Sequence, residues 1–131
     1  MRELLNQIAR FATVGLVATG VHALAYALLG GMALISPLLA NFLAFLLAFA
    51  FSYVGHFKIT FAKEMEGRSL HSSFGIQLRF FLVALLGLGL NSLAVWLTTD
   101  VLGLHYLLAI LPMVFLVPLA TFGLSRVWAF K

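Results

Sequence analysis

The sequence contains little that can carry charge or covalent chemistry. It has no cysteine, three prolines and four acidic residues, and charged residues make up 9% of its 131 positions. Without cysteine, disulfides and thiolate metal sites are excluded. A soluble domain of this length needs far more polar surface than this composition provides. We therefore expect a membrane protein, with no metal and no cofactor.

Long apolar stretches make up most of the sequence. Hydrophobic residues form 63% of the chain, and its mean hydropathy is +1.12. The stretches cover residues 8–30, 38–57, 79–99 and 105–127. Each approaches the ~20 residues that a helix needs to cross ~30 Å of hydrocarbon, where the backbone must satisfy its own hydrogen bonds. The predicted fold class is all-α integral membrane, with four transmembrane helices.

The chain also repeats itself, without a gap, at an offset of 69 residues. The aligned pairs include Arg10-Phe11 with Arg79-Phe80, Gly20 with Gly89, and Phe61 with Phe130. The repeating unit is a hairpin of two helices. We therefore predict one domain over residues 1–131, with repeat 1 at 10–62 and repeat 2 at 79–131.

The positions of the cations predict the orientation of these hairpins. Every Lys and Arg lies before or at the start of the first stretch, at or after the end of the fourth, or from the end of the second to the start of the third, and the other two connections have none. By the positive-inside rule, both termini and a loop at 59–78 lie in the cytoplasm, giving an N-in/C-in protein. Each hairpin then starts and ends inside, so the repeats are parallel and related by a pseudo-two-fold axis along the membrane normal.

Polar residues inside the stretches are few, and small residues accompany them. His22 follows Gly15 and Ala18 on one face of helix 1, and Asn91 lies on the equivalent face of helix 3. Helix 2 places Asn41 and Ser52 on a face that also carries alanines. Because small residues allow close packing and polar groups in lipid turn toward protein, these faces should point inward or toward a second subunit.

Several functions are disfavoured by what the stretches lack. All four acidic residues lie near or outside the membrane interfaces, so no buried carboxylate can serve a proton-coupled exporter. The sequence has no activated nucleophile and no plausible acid-base pair, so we do not expect an enzyme. The net charge of +4 might suggest nucleic-acid binding, but the chain has no soluble domain that could carry the binding face.

Specific motifs resemble those of the GtrA-like family over almost the whole chain. They are Arg10-Phe-Ala-Thr-Val-Gly15, Asn41-Phe-Leu-Ala-Phe45, Phe51-Ser-Tyr-Val-Gly-His-Phe-Lys-Ile-Thr-Phe61, Arg79-Phe80 and Ser125-Arg-Val-Trp-Ala-Phe130. The resemblance implies a role in cell-surface polysaccharide synthesis. Family members are proposed to move polyprenyl-phosphate-linked sugars from the cytoplasmic to the outer leaflet of the membrane.

The resemblance also implies which residues meet such a lipid. The cations at the inner face would attract its phosphate: Arg10, Arg79, Lys58 and Arg126. Polar groups along the path would bond to sugar hydroxyls: His22, Asn41, Ser52, His56 and Asn91. We expect a multi-pass protein of the inner (plasma) membrane of a prokaryote, and a homodimer, since four helices form a thin wall around a glycolipid headgroup.

Two other functions remain open from the sequence. The chain could be a non-transporting partner that anchors a membrane glycosyltransferase, with its small-residue faces as docking surfaces. It could also be a small exporter of cationic amphiphiles, although the missing intramembrane carboxylate counts against this function.

Overall fold

Four long helices account for most of the structure, a computed structural model that describes residues 1–60, 66–67 and 74–124. Helix α1 is Arg2–Gly30, α2 is Pro37–Gly55, α3 is Phe74–Trp96 and α4 is Ile110–Leu124. A π-helical turn continues α2 over His56–Thr60, and another continues α3 over Leu97–Val101. A 3₁₀ turn at Tyr106–Ala109 leads into α4. The all-helical prediction is confirmed for the described residues.

The helices that follow the two short connections begin in the same way. Ser36 caps α2 by accepting a hydrogen bond from the Leu39 backbone N–H at 3.2 Å, and Pro37 opens the helix. His105 caps the 3₁₀ turn by accepting a hydrogen bond from Leu107 N–H at 3.3 Å. These caps satisfy backbone donors that have no partner within their helix. The two capping residues are 69 positions apart, the offset of the sequence repeat.

Three of the helical stretches are long and apolar enough to cross a bilayer. They are Ala9–Gly30, Pro37–Ile59 and Gln77–Val101, and Tyr106–Thr121 is a shorter apolar stretch within the described residues. Large apolar side chains cover the outer surface, among them Leu16 (73% exposed) and Phe115 (62%). A surface of this kind requires lipid as its solvent. The chain is a multi-pass membrane protein, and the orientation of its termini stays a prediction.

The small and polar faces of the helices point into the bundle. Each helix contacts the next along the chain, and α4 returns to contact α1. The predicted inward faces do point inward: His22, Asn41 and Asn91 are buried, and Gly15 and Gly87 line an internal cleft. The best-packed part lies toward the Pro37 end of α2, where the core consists of Tyr26, Ala40, Ala44, Val95, Ala109 and Met113.

Two helices begin earlier than predicted, both at the same end of the bundle. Helix α1 begins at Arg2 rather than residue 8, and α3 begins at Phe74 rather than 79. Hydropathy marks the part of a helix that fits in lipid, whereas the hydrogen-bonded helix continues past it through polar residues. The last predicted stretch, 105–127, ends outside the described residues.

Candidate functional site

An internal cleft of about 390 Å³ lies between the helices, and all four contribute to its wall. The wall is mostly apolar, with a few neutral polar groups and, within the described residues, no Lys, Arg, Asp or Glu. Gly15 and Gly87 face this space, and a Cβ on Gly15 would meet nothing within 4 Å. The small stripes predicted on helices 1 and 3 thus leave a cavity instead of a tight helix contact.

A chain of hydrogen bonds crosses the deep end of the cleft and links α1, α2 and α3. His22 Nε2 lies 3.1 Å from Asn41 Oδ1, and Asn41 Nδ2 donates to Ser92 Oγ at 3.0 Å. Asn91 Nδ2 lies 3.4 Å from His22 Nδ1. Because Nδ2 of an amide can only donate, this geometry fits a neutral imidazole that accepts at Nδ1 and donates from Nε2.

The sequence repeat aligns the two residues at the centre of this hydrogen-bond series. His22 and Asn91 are separated by 69 residues, so the sequence repeat aligns them with each other. They are 5% and 8% exposed, and both line the cleft. Asn91 Oδ1 is buried and has no hydrogen-bond partner in the part of the chain that the structure describes. A bound group with a hydrogen-bond donor could satisfy it.

Aromatic rings surround the opposite end of the cleft. His56 is 3% exposed, and its ring stacks on Phe11 with centroids 4.6 Å apart. Phe80 meets the same imidazole edge-on at 5.3 Å. Phe11 and Phe80 are again 69 positions apart, so His56 lies between two aligned residues. His56 and these two rings are all in the lining of the cleft, which therefore has an aromatic rim.

Exposed cations lie next to this rim. Arg10 and Arg79 directly precede the two phenylalanines, and Lys58 follows His56 in the π-helical turn. We call this the basic end of the bundle. Arg10 lines a separate external groove with Asn6, Thr13 and Ile59. Twelve residues separate Arg10 from His22 and Arg79 from Asn91, or about 18 Å along a helix.

At the other end of the bundle, two tyrosines join α1 to the beginning of the fourth stretch. Tyr26 is fully buried, and its hydroxyl donates to the Tyr106 carbonyl at 2.9 Å. The Tyr106 hydroxyl donates to the Ala27 carbonyl at 2.9 Å. A Cβ on Gly30 would lie 2.6 Å from the Tyr106 ring, so glycine permits this contact. These contacts pack the two segments closely at this end of the bundle.

The structure brings some of the predicted site residues together and separates others. His22 and Asn91 meet in the cleft, and Ser52 and His56 lie along its wall. Asn41 is fully buried behind His22 and does not line the cleft, which makes it a support for that imidazole. Arg10, Lys58 and Arg79 lie at the basic end, outside the cleft, and Arg126 is outside the described residues.

Sequence reasoning missed three residues of this arrangement. Tyr26 lies four positions after His22 on the same helix face, a spacing that could have included it. Ser92 adjoins Asn91, but its bond to a distant asparagine has no local signal. Tyr106 begins the fourth stretch and contacts α1, 79 residues earlier. The described residues hold no cluster of three or more His, Asp or Glu suited to a metal ion.

Comparison with known proteins gives one match. The family model "GtrA/DPMS, transmembrane domain" matches residues 10–130, almost the entire chain. The match confirms the resemblance found in the motifs and connects the chain to lipid-linked sugar processes of membrane glycosylation. No curated protein and no solved structure matches.

Proposed function

The chain belongs to the GtrA/DPMS transmembrane-domain family, and we propose that it moves a polyprenyl-phosphate-linked sugar from the cytoplasmic to the outer leaflet. The observation that carries this proposal is the cleft, which has an aromatic rim at the basic end and a polar group at its depth. A headgroup can enter such a cleft while its polyprenyl tail remains in lipid. No covalent step is part of the function, and the protein is not an enzyme.

The charges support an entry from the cytoplasmic face. Arg10, Arg79 and Lys58 are exposed beside the rim, where they attract the phosphate of the lipid, and Arg126 is the fourth predicted cation. Beyond the rim, Ser52 and Asn91 offer neutral polar contacts. The two-tyrosine contact closes the far side. In this proposal the headgroup enters from the cytoplasmic side, and the outer side of the bundle stays closed.

Translocation in liposomes tests this function. Purified protein is reconstituted with a fluorescent polyprenyl-phospho-sugar, and an impermeant reductant is added outside. Protein-free liposomes lose about half of the signal, because only the outer leaflet is reached, whereas we expect nearly complete loss with protein. Loss limited to the outer leaflet, together with stimulation of a co-reconstituted glycosyltransferase, would establish the anchoring function instead.

The bundle is small for a headgroup path, and we propose that it works as a homodimer in the inner membrane of a prokaryote. Gly20 and Gly89 lie on the outer surface, where a Cβ would meet nothing within 4 Å. Such positions allow a helix of a second copy to approach closely. Mass measurement in mild detergent tests this, and a monomer that binds the lipid with full affinity would refute it.

A further inference from the structure

The chain of hydrogen bonds at the deep end of the cleft is incomplete at one atom. Donation runs from Asn91 Nδ2 to His22 Nδ1, from His22 Nε2 to Asn41 Oδ1, and from Asn41 Nδ2 to Ser92 Oγ. At the beginning of this series, Asn91 Oδ1 is a buried acceptor without a donor. Buried polar atoms almost always have a partner, so an exception of this kind indicates a missing one.

The surrounding bonds hold this acceptor in place. Rotation of the Asn91 amide would remove its donor from His22, and His22 is itself fixed by fully buried Asn41. The side chain of Asn91 is 92% buried and lines the cleft. Its unpartnered acceptor therefore lies in the wall of the cleft, where a hydrogen-bond donor of the molecule that occupies the cleft can satisfy it.

The charge of the wall decides which part of the lipid can supply this donor. A phosphate carries only acceptors and negative charge, so it repels an amide oxygen, and the cations that attract it begin about 18 Å away along the helices. A sugar hydroxyl is neutral and donates. Resting on the proposed function above, we propose that Asn91 Oδ1 accepts a hydrogen bond from a hydroxyl of the transported sugar.

This contact makes Asn91 a specificity-determining residue. A site built to pair with a hydroxyl discriminates strongly against a ligand that lacks it, because the buried acceptor is then left unpaired. The sugar therefore leads into the cleft, and the phosphate trails toward the basic end. His22 and Asn41 act as positioning residues, because they hold the Asn91 amide in place and do not contact the sugar themselves.

Competition between lipids in nanodiscs, read by native mass spectrometry, tests the contact. The probes are polyprenyl phosphate and its glucosyl, galactosyl and mannosyl derivatives. We expect the preferred hexose lipid to bind about 10-fold more tightly than polyprenyl phosphate, as one hydrogen bond to a buried group provides. Equal affinities would show that water satisfies Asn91 Oδ1 and would overturn this inference, whereas no binding of any probe would also overturn the proposed function.

Altered sugars distinguish a donated bond from an accepted one. One hydroxyl of the preferred hexose should be critical, and its deoxy and deoxyfluoro analogues should bind about equally weakly, because both lack the donor. A deoxyfluoro lipid that binds like the parent, beside a weak deoxy lipid, would mean that the sugar oxygen accepts. The assignment of Asn91 Oδ1 as the acceptor would then be wrong.

A pair of variants completes the test. Asn91→Leu should bind polyprenyl phosphate as the wild type does, yet lose the roughly 10-fold preference for the hexose lipid. Thr121→Val is the matched control, because Thr121 also lines the cleft but its hydroxyl already donates to the Val117 carbonyl at 2.9 Å. Loss of the preference in Thr121→Val and its retention in Asn91→Leu would contradict the inference.

Discussion

His22 and Asn91 are aligned by the 69-residue offset, yet their chemistry differs, and the difference gives the central contact a direction. An imidazole has one donor and one acceptor when neutral, and a primary amide adds two donors and an acceptor. Their contact belongs to an ordered series of hydrogen bonds that runs from Asn91 through His22 and Asn41 to Ser92. Divergence of the two copies thus produces a single oriented acceptor at the centre of the bundle.

Asn41 should matter for stability more than for contact with a ligand. Asn41→Leu would leave the His22 donor and the Ser92 hydroxyl without their partner in a buried setting. Polar contacts between membrane helices contribute about 0.6 to 2 kcal/mol, so we expect a loss of about 1 kcal/mol in the free energy of unfolding. Unfolding in mixed micelles measures it. Ser92→Ala removes one bond at the edge of the series and should cost less, and equal effects would contradict this ranking.

Arg10 and Arg79 test whether the basic end binds phosphate or only sets topology. Arg10→Lys and Arg79→Lys keep the charge but lose the planar guanidinium that can bond to phosphate through two N–H groups. Each variant should insert normally and bind polyprenyl phosphate about 10-fold less tightly. Arg2→Lys is the matched control, because Arg2 begins the same helix as Arg10 without a neighbouring rim residue. Full affinity in both variants would reduce these arginines to topology signals.

Close packing between α1 and α2 depends on a glycine near the basic end. A Cβ on Gly55 would lie 2.7 Å from Val14 Cγ1, so Gly55→Ala forces the two helices apart or the valine to move. Overpacking of this kind costs about 1 to 3 kcal/mol, measured as a lower free energy of unfolding. Val14→Ala in the same chain should restore most of the loss. Gly75→Ala, at a position with open space, should not destabilise, and a similar loss there would contradict the packing explanation.

Hydropathy and repeat spacing were enough to predict the helices and their inward faces. The faces carrying His22, Asn41 and Asn91 were identified from small residues at helical spacing, and the structure buries all three. The π-helical turns at His56–Thr60 and Leu97–Val101 were not predicted, because a π turn inserts a residue without changing the apolar pattern. The pairing of His22 with Asn91 depends on tertiary packing across the bundle, as does the contact of Tyr106 with α1.

The orientation of the whole molecule is a prediction that depends on the cations alone. With both termini inside, the two short connections face outward and the 59–78 loop faces the cytoplasm. The chain has no cysteine, so single cysteines report accessibility without background. In intact cells, Leu34→Cys and Leu102→Cys should react with an impermeant maleimide, and Glu66→Cys should react only after lysis; all three positions are exposed. The reverse pattern would place the basic end outside.

The most direct measurement of the central claim is translocation after the cleft has been filled. Gly15→Leu places a bulky side chain in the cleft, and Gly75→Leu places the same side chain on the exposed surface of α3, away from the cleft; neither Cβ meets a neighbour within 4 Å. If the headgroup passes through the cleft, Gly15→Leu should reduce the translocation rate of a polyprenyl-phospho-sugar to that of protein-free liposomes, with Gly75→Leu close to wild type. Unimpaired translocation by a folded Gly15→Leu protein would contradict the account.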